Sequence, residues 1–211
     1  LVPGSVAFYT IKPGTTKTVC MILSNYHTHS KFCDGIGQLE EYVQSALDKG
    51  MTSLGFSSHA PLPFETEWAM KQEDLAAYTA DVSQLKRDYA NRLAVFLGLE
   101  IDYYPGILSP TSAKIRRMNL DYSIGSVHFI GHLPDHGWWT VDSSPTKFET
   151  GLQASFGGNI RQAVEKYYSH MQMMVLSSPP DIIAHFDLIK RNNQANHYFS
   201  ENDGWYRSLV T

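Results

Sequence analysis

Only two cysteines, Cys20 and Cys33, occur among 211 residues. They are too few and too close together for a disulfide framework, which excludes the small secreted scaffolds that depend on one and fits a reducing, cytoplasmic setting. Basic charge is scarce as well. The 17 Lys and Arg against 21 Asp and Glu give a formal net charge of -4 without any Lys/Arg-rich run. The chain therefore lacks the electrostatic footprint of a protein that grips duplex nucleic acid or an anionic membrane. No apolar run approaches the roughly 20 residues needed to cross a bilayer. A small, discrete anionic partner is compatible with all three deficits. The remainder is ordinary: 43% hydrophobic and 18% charged residues describe a globular chain long enough to bury one sizeable core, and one domain is expected.

The chain does not begin with Met, and its opening LVPGS resembles the scar of a protease site. Residues 1–20 are read as a tag, linker or non-native leader and 21–211 as the domain, with Met21 starting an apolar run into the first histidines. Residues 21–26 read as a buried strand, and Leu39, Tyr42, Val43, Ala46 and Leu47 follow at helical spacing before Gly50. The alternation recurs: a strand over 52–57, a helix over 73–89, a strand over 93–101, a short helix over 110–117 opened by Pro110, and a strand over 121–127. A loop from Ile130 to Gly158, rich in Gly, Pro, Ser and Trp, precedes a helix with Ile160, Ala163, Val164, Tyr167, Met171, Met174 and Val175 on one face. Pro179 and Pro180 end that helix before a strand over 181–184. Five strands separated by helices imply right-handed crossovers and a parallel α/β sheet. A complete eight-unit barrel takes about 250 residues, so the barrel expected here is unfinished.

Histidine and carboxylate residues recur just after these apolar runs. Side chains delivered from the ends of successive parallel strands can meet at one point, where imidazole and carboxylate groups hold divalent cations that polarise a phosphoryl oxygen and activate water. His27 and His29 are two apart and project from one face. Asp34 in FCDG reads either as a ligand or as an Asx turn, and neighbouring Cys33 as a ligand or a small buried residue. His59 in GFSSHAP is a ligand or a core histidine. Glu100 closes the run VFLGLE, and a carboxylate there is costly to bury without a cation or hydrogen bonds. Asp102 is placed to orient a ligating histidine or to act on the catalytic water. His128 in GSVHF and His185 in IIAHFD repeat the pattern of strand and then imidazole.

The segments HTHSKFCDG, GFSSHAPLPF, GLEIDYYPG, GSVHFI and IIAHFDLIK, in that order from about Met21 to the end, resemble the successive motifs of the polymerase and histidinol phosphatase (PHP) superfamily. GFSSHAPLPF with HFDLIK is similar to its histidinol-phosphate phosphatase branch. The resemblance implies a distorted (β/α)7 TIM-like barrel with a cluster of two or three divalent ions (zinc, manganese or iron) at its C-terminal mouth. His27 and His29 would bind one ion, Glu100 would bridge to a second held also by His128 and His185, and Asp34 with His59 would hold the third. A late Asp-x-His motif expected by the family is not found after His185, so the last barrel units are expected to lie outside this chain.

The implied reaction is hydrolysis of histidinol phosphate, a step of histidine biosynthesis, by metal-activated water attacking phosphorus in line. Asp102, His132 or a water would protonate the leaving alkoxide. Arg161, Lys190 and Arg191 are either phosphate clamps or solvated charges. The loop holding His132, His136, Trp138 and Trp139 is either a lid or packing. Rival readings are a PHP nuclease, opposed by the lack of a basic groove; a non-catalytic metal-binding fragment; and an amidohydrolase, for which no carbamylated-lysine position is evident.

Overall fold

In a computed structural model, the structure describes residues 23–135 and 137–211. The leader read over 1–20, the first two residues of the expected opening strand, and His136 lie outside them.

The strand and helix signals resolve in chain order. Strand β1 (Ser24–Asn25) leads to helix α1 (Leu39–Asp48), whose start is fixed by a reciprocal box between Gln38 and Glu41, with Glu40 and Glu41 at the positive end of the helix dipole. Leu39, Val43 and Ala46 face inward. Strand β2 (Ser53–Phe56) is followed by helix α2 (Leu75–Asp88), which buries Tyr78, Val82 and Leu85. Strand β3 (Ala94–Asp102) is the longest of the sheet, and helix α3 (Ala113–Arg116) is a single turn. That turn begins at Ser112, whose hydroxyl accepts from the Ile115 amide, rather than at Pro110. Strand β4 (Tyr122–Ser126) completes this half.

The stretch from 130 to 158 departs from the expected loop. It holds a hairpin of β5 (Phe129–His132) and β6 (Trp138–Thr140), then helix α4 (Pro145–Phe156). The helix is punctuated by Ser144 as N-cap, Pro145 in its first turn and Gly157 in the left-handed conformation at its end. Its buried face, Phe148, Gly151 and Leu152, packs on Trp139 of the hairpin. Gly151 is required there because a Cβ would lie 2.2 Å from the indole. Helix α5 (Ile160–Ser177) buries Ala163, Val164, Tyr167, Met171 and Met174, while Val175 faces outward. Strand β7 (Ile182–Ile183) and helix α6 (Gly204–Val210) follow.

Five strands pair in parallel in the order β1, β2, β3, β4, β7. The sheet is curled. Three inter-strand spacings separate β1 from β4, about 14 Å in a flat sheet, yet the Tyr122 hydroxyl of β4 donates to the Tyr26 carbonyl beside β1 at 2.6 Å. The Tyr122 ring crosses the concave face over Gly55 and Gly98, where an added Cβ would meet it at 2.4 Å. Outside the curl, α1 and α2 cover β2 and β3 with one apolar core, and α4, α5 and α6 build a second with the hairpin. The architecture is the curled parallel half of an α/β barrel.

Gly98→Val forces the Tyr122 ring from this seat. It is expected to destabilise the fold by about 1–3 kcal/mol, read as a lower midpoint of urea unfolding at constant slope; an unchanged midpoint would show that Tyr122 does not fill the concave face.

Candidate metal centre

Strand periodicity places the central carboxylates. Glu100 and Asp102 are two apart on β3, so both project from the same face, opposite Ile124 and Ser126 of β4. Glu100 is 1% exposed and Asp102 3%. Around Glu100 the ends of the other four strands deliver imidazoles. His27 Nε2 lies 2.9 Å and His29 Nε2 3.0 Å from Oε2, and His185 Nε2 lies 3.1 Å from Oε1. His59 Nδ1 approaches Oε2 at 3.4 Å, and His128 Nε2 approaches Oε1 at 3.8 Å. His59 is set by backbone pairing across β2 and β3, with the Glu100 amide donating to the Ser58 carbonyl and the Ala60 amide to the Glu100 carbonyl.

The turn after His29 folds back on it. Gly35 packs so tightly that a Cβ would sit 2.4 Å from the Ser30 nitrogen. Asp34 Oδ1 thereby comes within 2.8 Å of His29 Nδ1, and Cys33 Sγ within 3.6 Å. Asp34 also stands 3.9 Å from His59 Nε2. On the far side, Asp102 Oδ1 accepts from the His128 backbone amide at 3.2 Å and lies 2.7 Å from its Nδ1. With Nδ1–H donating to Asp102, a neutral His128 presents its Nε2 lone pair toward Glu100, the carboxylate–histidine arrangement found behind metal ligands.

Charge in the cluster is strongly perturbed. Burial opposes ionisation of Glu100, but hydrogen bonds from His185, His27 and His29 overcome it and hold the carboxyl well below its ordinary range. Burial likewise disfavours a charged His29 and a charged His128. Asp34, Cys33 and Glu100 nonetheless push His29 up to about 12, and Asp102 with Glu100 pushes His128 up to about 9. His59 goes the other way, down to about 4, because burial dominates. Perturbation of this kind gathers at functional sites.

These donors suit divalent cations. Three groups have ligand atoms within 4.8 Å of one another: His27, His29 and Glu100; His59, Glu100 and His128; and His29, Cys33 and Asp34. Two ligands each 2.0–2.1 Å from a tetrahedral ion stand about 3.3 Å apart, close to the separations of His59 and His128 from Glu100. Buried Nδ1 atoms of His59 and His185 have no hydrogen-bond partner among the described residues, an orphaning that proteins rarely tolerate without a ligand or ion nearby. A single carboxylate surrounded by five imidazoles is a donor set that could hold divalent cations. His59 stands near Asp34 as well as near Glu100 and His128.

A cleft of about 920 Å³ opens beside the cluster, lined by Asp34, His59 and His128 among others. Arg191 lines it, 3.7 Å from Asp142. The other two cations named from the sequence are engaged elsewhere. Arg161 donates to Glu165 at 2.7 Å and lies over the Trp205 ring, one turn being enough to pair the two on α5. Lys190 is held by Asp187 and Glu201. Neither contributes to the cleft. His132 is exposed on β5 against the Trp138 ring, while the indole of Trp139 is core, not lid. Sequence reasoning missed Lys147 and Trp68, both in the cleft lining. Trp68 sits 4.6 Å from the His59 ring and 5.4 Å from that of His128. An aromatic and acidic run, FETEW, in the segment after His59 was the available signal.

A Deinococcus radiodurans protein named a probable histidinol-phosphatase is 34% identical over 172 residues, covering 80% of this chain and 62% of that protein. A solved structure from Listeria monocytogenes superposes with a TM-score of 0.68 at 23% identity, over 81% of this chain and 69% of that one. A histidinol phosphate phosphatase of Lactococcus lactis, solved with zinc, L-histidinol and phosphate, gives a TM-score of 0.53 at 17% identity, over 80% of this chain and 59% of that one. The chain spans 55% to 66% of the length of the curated relatives it matches. The PHP domain profile matches residues 25–209, taking in every ligand candidate from His27 to His185, and the chain belongs to the PHP domain family.

Proposed function

We propose that this chain carries the site of a metal-dependent phosphomonoesterase that hydrolyses histidinol phosphate to histidinol and phosphate. The observation that carries the reading is the buried Glu100 carboxylate with five imidazoles against it, two of which, His59 and His128, line a cleft beside the cluster. The named relative and the bound molecules of the Lactococcus lactis structure supply the substrate class. A cleft of about 920 Å³ is of a size for a small ester.

Two or three divalent ions, zinc, manganese or iron, would be held by His27, His29, Asp34, His59, Glu100, His128 and His185. When bound, such ions supply Lewis-acid activation of water and of the phosphoryl group. The chain's own residues do the rest. Asp102 fixes the tautomer and direction of His128, which commits its carboxylate to positioning. His132 is exposed against the Trp138 ring and is not among the residues that line the cleft, which leaves water to give the leaving alkoxide its proton. Arg191, 3.7 Å from Asp142, and Lys147 line the cleft and would meet the phosphate oxygens. The same cleft contains Asp34, Glu65, Glu67, Asp135 and Asp142, an acidic excess that disfavours a nucleic-acid polyanion. Among the described residues no helix is long and apolar enough to cross a membrane.

Phosphate release from histidinol phosphate is expected with metal-loaded protein and to cease after chelation. Glu100→Gln and His128→Ala are each expected to lower kcat/KM by about a hundred-fold or more; turnover unaltered in both would refute the assignment. Asp102→Asn is expected to weaken metal affinity by about 10- to 100-fold, measured by competition with a chromophoric chelator. In the metal-free chain His128, raised to about 9, keeps its proton from about pH 6.5 up to that value. A cation must displace that proton, so apparent metal affinity should climb through this window. The sign for stability is the opposite: the contribution of the Asp102–His128 pair to the metal-free fold is complete below about pH 6.5 and is lost as pH rises past about 9. Titrating metal binding and metal-free unfolding against pH checks both directions.

A further inference from the structure

Both cations of the cleft come from the second half of the chain: Lys147, in the first turn of α4, and Arg191, beyond β7, with Asp142 3.7 Å from it. The segment between β2 and α2 contributes Phe64, Glu65, Glu67 and Trp68, and no basic residue of that segment lines the cleft. Glu65 and Glu67 are exposed and enter no ion pair among the described residues. Trp68 stacks on Phe129 with centroids 5.7 Å apart and planes at 27°, while keeping its contacts to His59 and His128. Phe64 stacks on Trp138 of the hairpin at 4.7 Å and 17°. A fixed aromatic wall therefore rises from the metal centre to the rim, with two uncompensated carboxylates along it.

Such a wall opposes a phosphate dianion, which Lys147, Arg191 and the ions that the imidazoles would hold suit instead. It favours an organic cation: carboxylates attract an ammonium, and an indole presents a negative face to a flat or charged ring. We propose that Glu65, Glu67 and Trp68 form the leaving-group subsite, selecting phosphate esters of cationic amino alcohols that carry an aromatic ring. The orientation, phosphate toward Arg191 and alcohol toward Trp68, rests on the phosphatase reading above; recognition of the cation does not.

Calorimetry on the zinc-loaded full chain with two separate probes, L-histidinol and inorganic phosphate, tests the subsite. The Glu65→Gln/Glu67→Gln double variant is expected to bind L-histidinol about ten-fold more weakly, with the difference shrinking at high salt, while phosphate affinity holds or rises. Trp68→Leu is expected to weaken L-histidinol about five-fold and Trp68→Phe to restore most of it, the pattern of a lost aromatic face rather than a lost fold. Wild-type protein that does not bind L-histidinol, or a double variant that binds it within about two-fold of wild type, overturns the subsite. Phosphate release, measured in parallel, separates the two readings. Histidinol binding that depends on Glu65 and Glu67 without any hydrolysis keeps the subsite and removes the phosphatase; hydrolysis with indifferent histidinol binding does the reverse.

Discussion

Glu100 is the constraint on which the rest of the structure depends. Its carboxylate is 1% exposed in the middle of the sheet, and moving an ion of that size out of water costs several kcal/mol even after relaxation. Nothing on β3 itself offsets that cost. The compensation comes from the two edges of the sheet, His27 beyond β1 and His185 beyond β7, whose rings lie 5.9 Å apart. In a flat sheet of five strands those edges would be about 19 Å apart. Satisfying one buried charge and curling the sheet are therefore the same event, and the Tyr122 ring seated on Gly55 and Gly98 supplies the apolar side of it.

Proton occupancy couples this fold to its ions. Without cations three of the imidazoles divide: burial strips His59 of its proton, while carboxylate partners leave His29 and His128 holding theirs. An imidazole must be neutral to bind, so His29 and His128, which steady the metal-free cluster, are the groups that cations have to deprotonate. Asp102 serves both states. It steadies a charged His128 when ions are absent and directs the Nε2 lone pair of a neutral one when they are present.

Much of the centre was legible because period and punctuation are local. Apolar runs ending in His27, His59, Glu100, His128 and His185 marked strand ends, and parallel pairing in chain order brought those ends together. The ordered motifs around them resembled the PHP family, to which the chain belongs. Less legible was everything that depends on partners distant in sequence. The stretch 130–158 looked like loop because Gly, Pro and Ser are read as breakers, yet Ser144, Pro145 and Gly157 bracket a helix whose apolar face packs on Trp139 and Tyr198. Arg161 read either as a phosphate clamp or as a solvated charge, and the Trp205 ring, distant in sequence, holds it together with Glu165 one turn along α5. Motif order alone does not fix how the ligands divide among ions, since His59 stands near Asp34 and also groups with Glu100 and His128.

The hairpin and α4 also explain how one sheet comes to have a cleft instead of an open mouth. They are inserted between β4 and β7, which pair directly with each other, so they add nothing to the parallel ladder. They also touch the centre, since the Val141 amide after β6 donates to the His128 carbonyl at 2.9 Å. What they add is a wall: Trp138 reaches Phe64 across the opening, and the first turn of α4 brings Lys147 opposite. Rigid strands thus fix the chemistry, where displacements of a fraction of an ångström matter. The inserted segment and the run after β2 set the size and charge of what can approach it. The two cores meet there: α1 and α2 support the ligands of β2 and β3 together with the ends of the run after β2, and α4 and α5 support the hairpin, so Trp68, against His59, His128 and Phe129, ties the wall of the cleft to its metal chemistry.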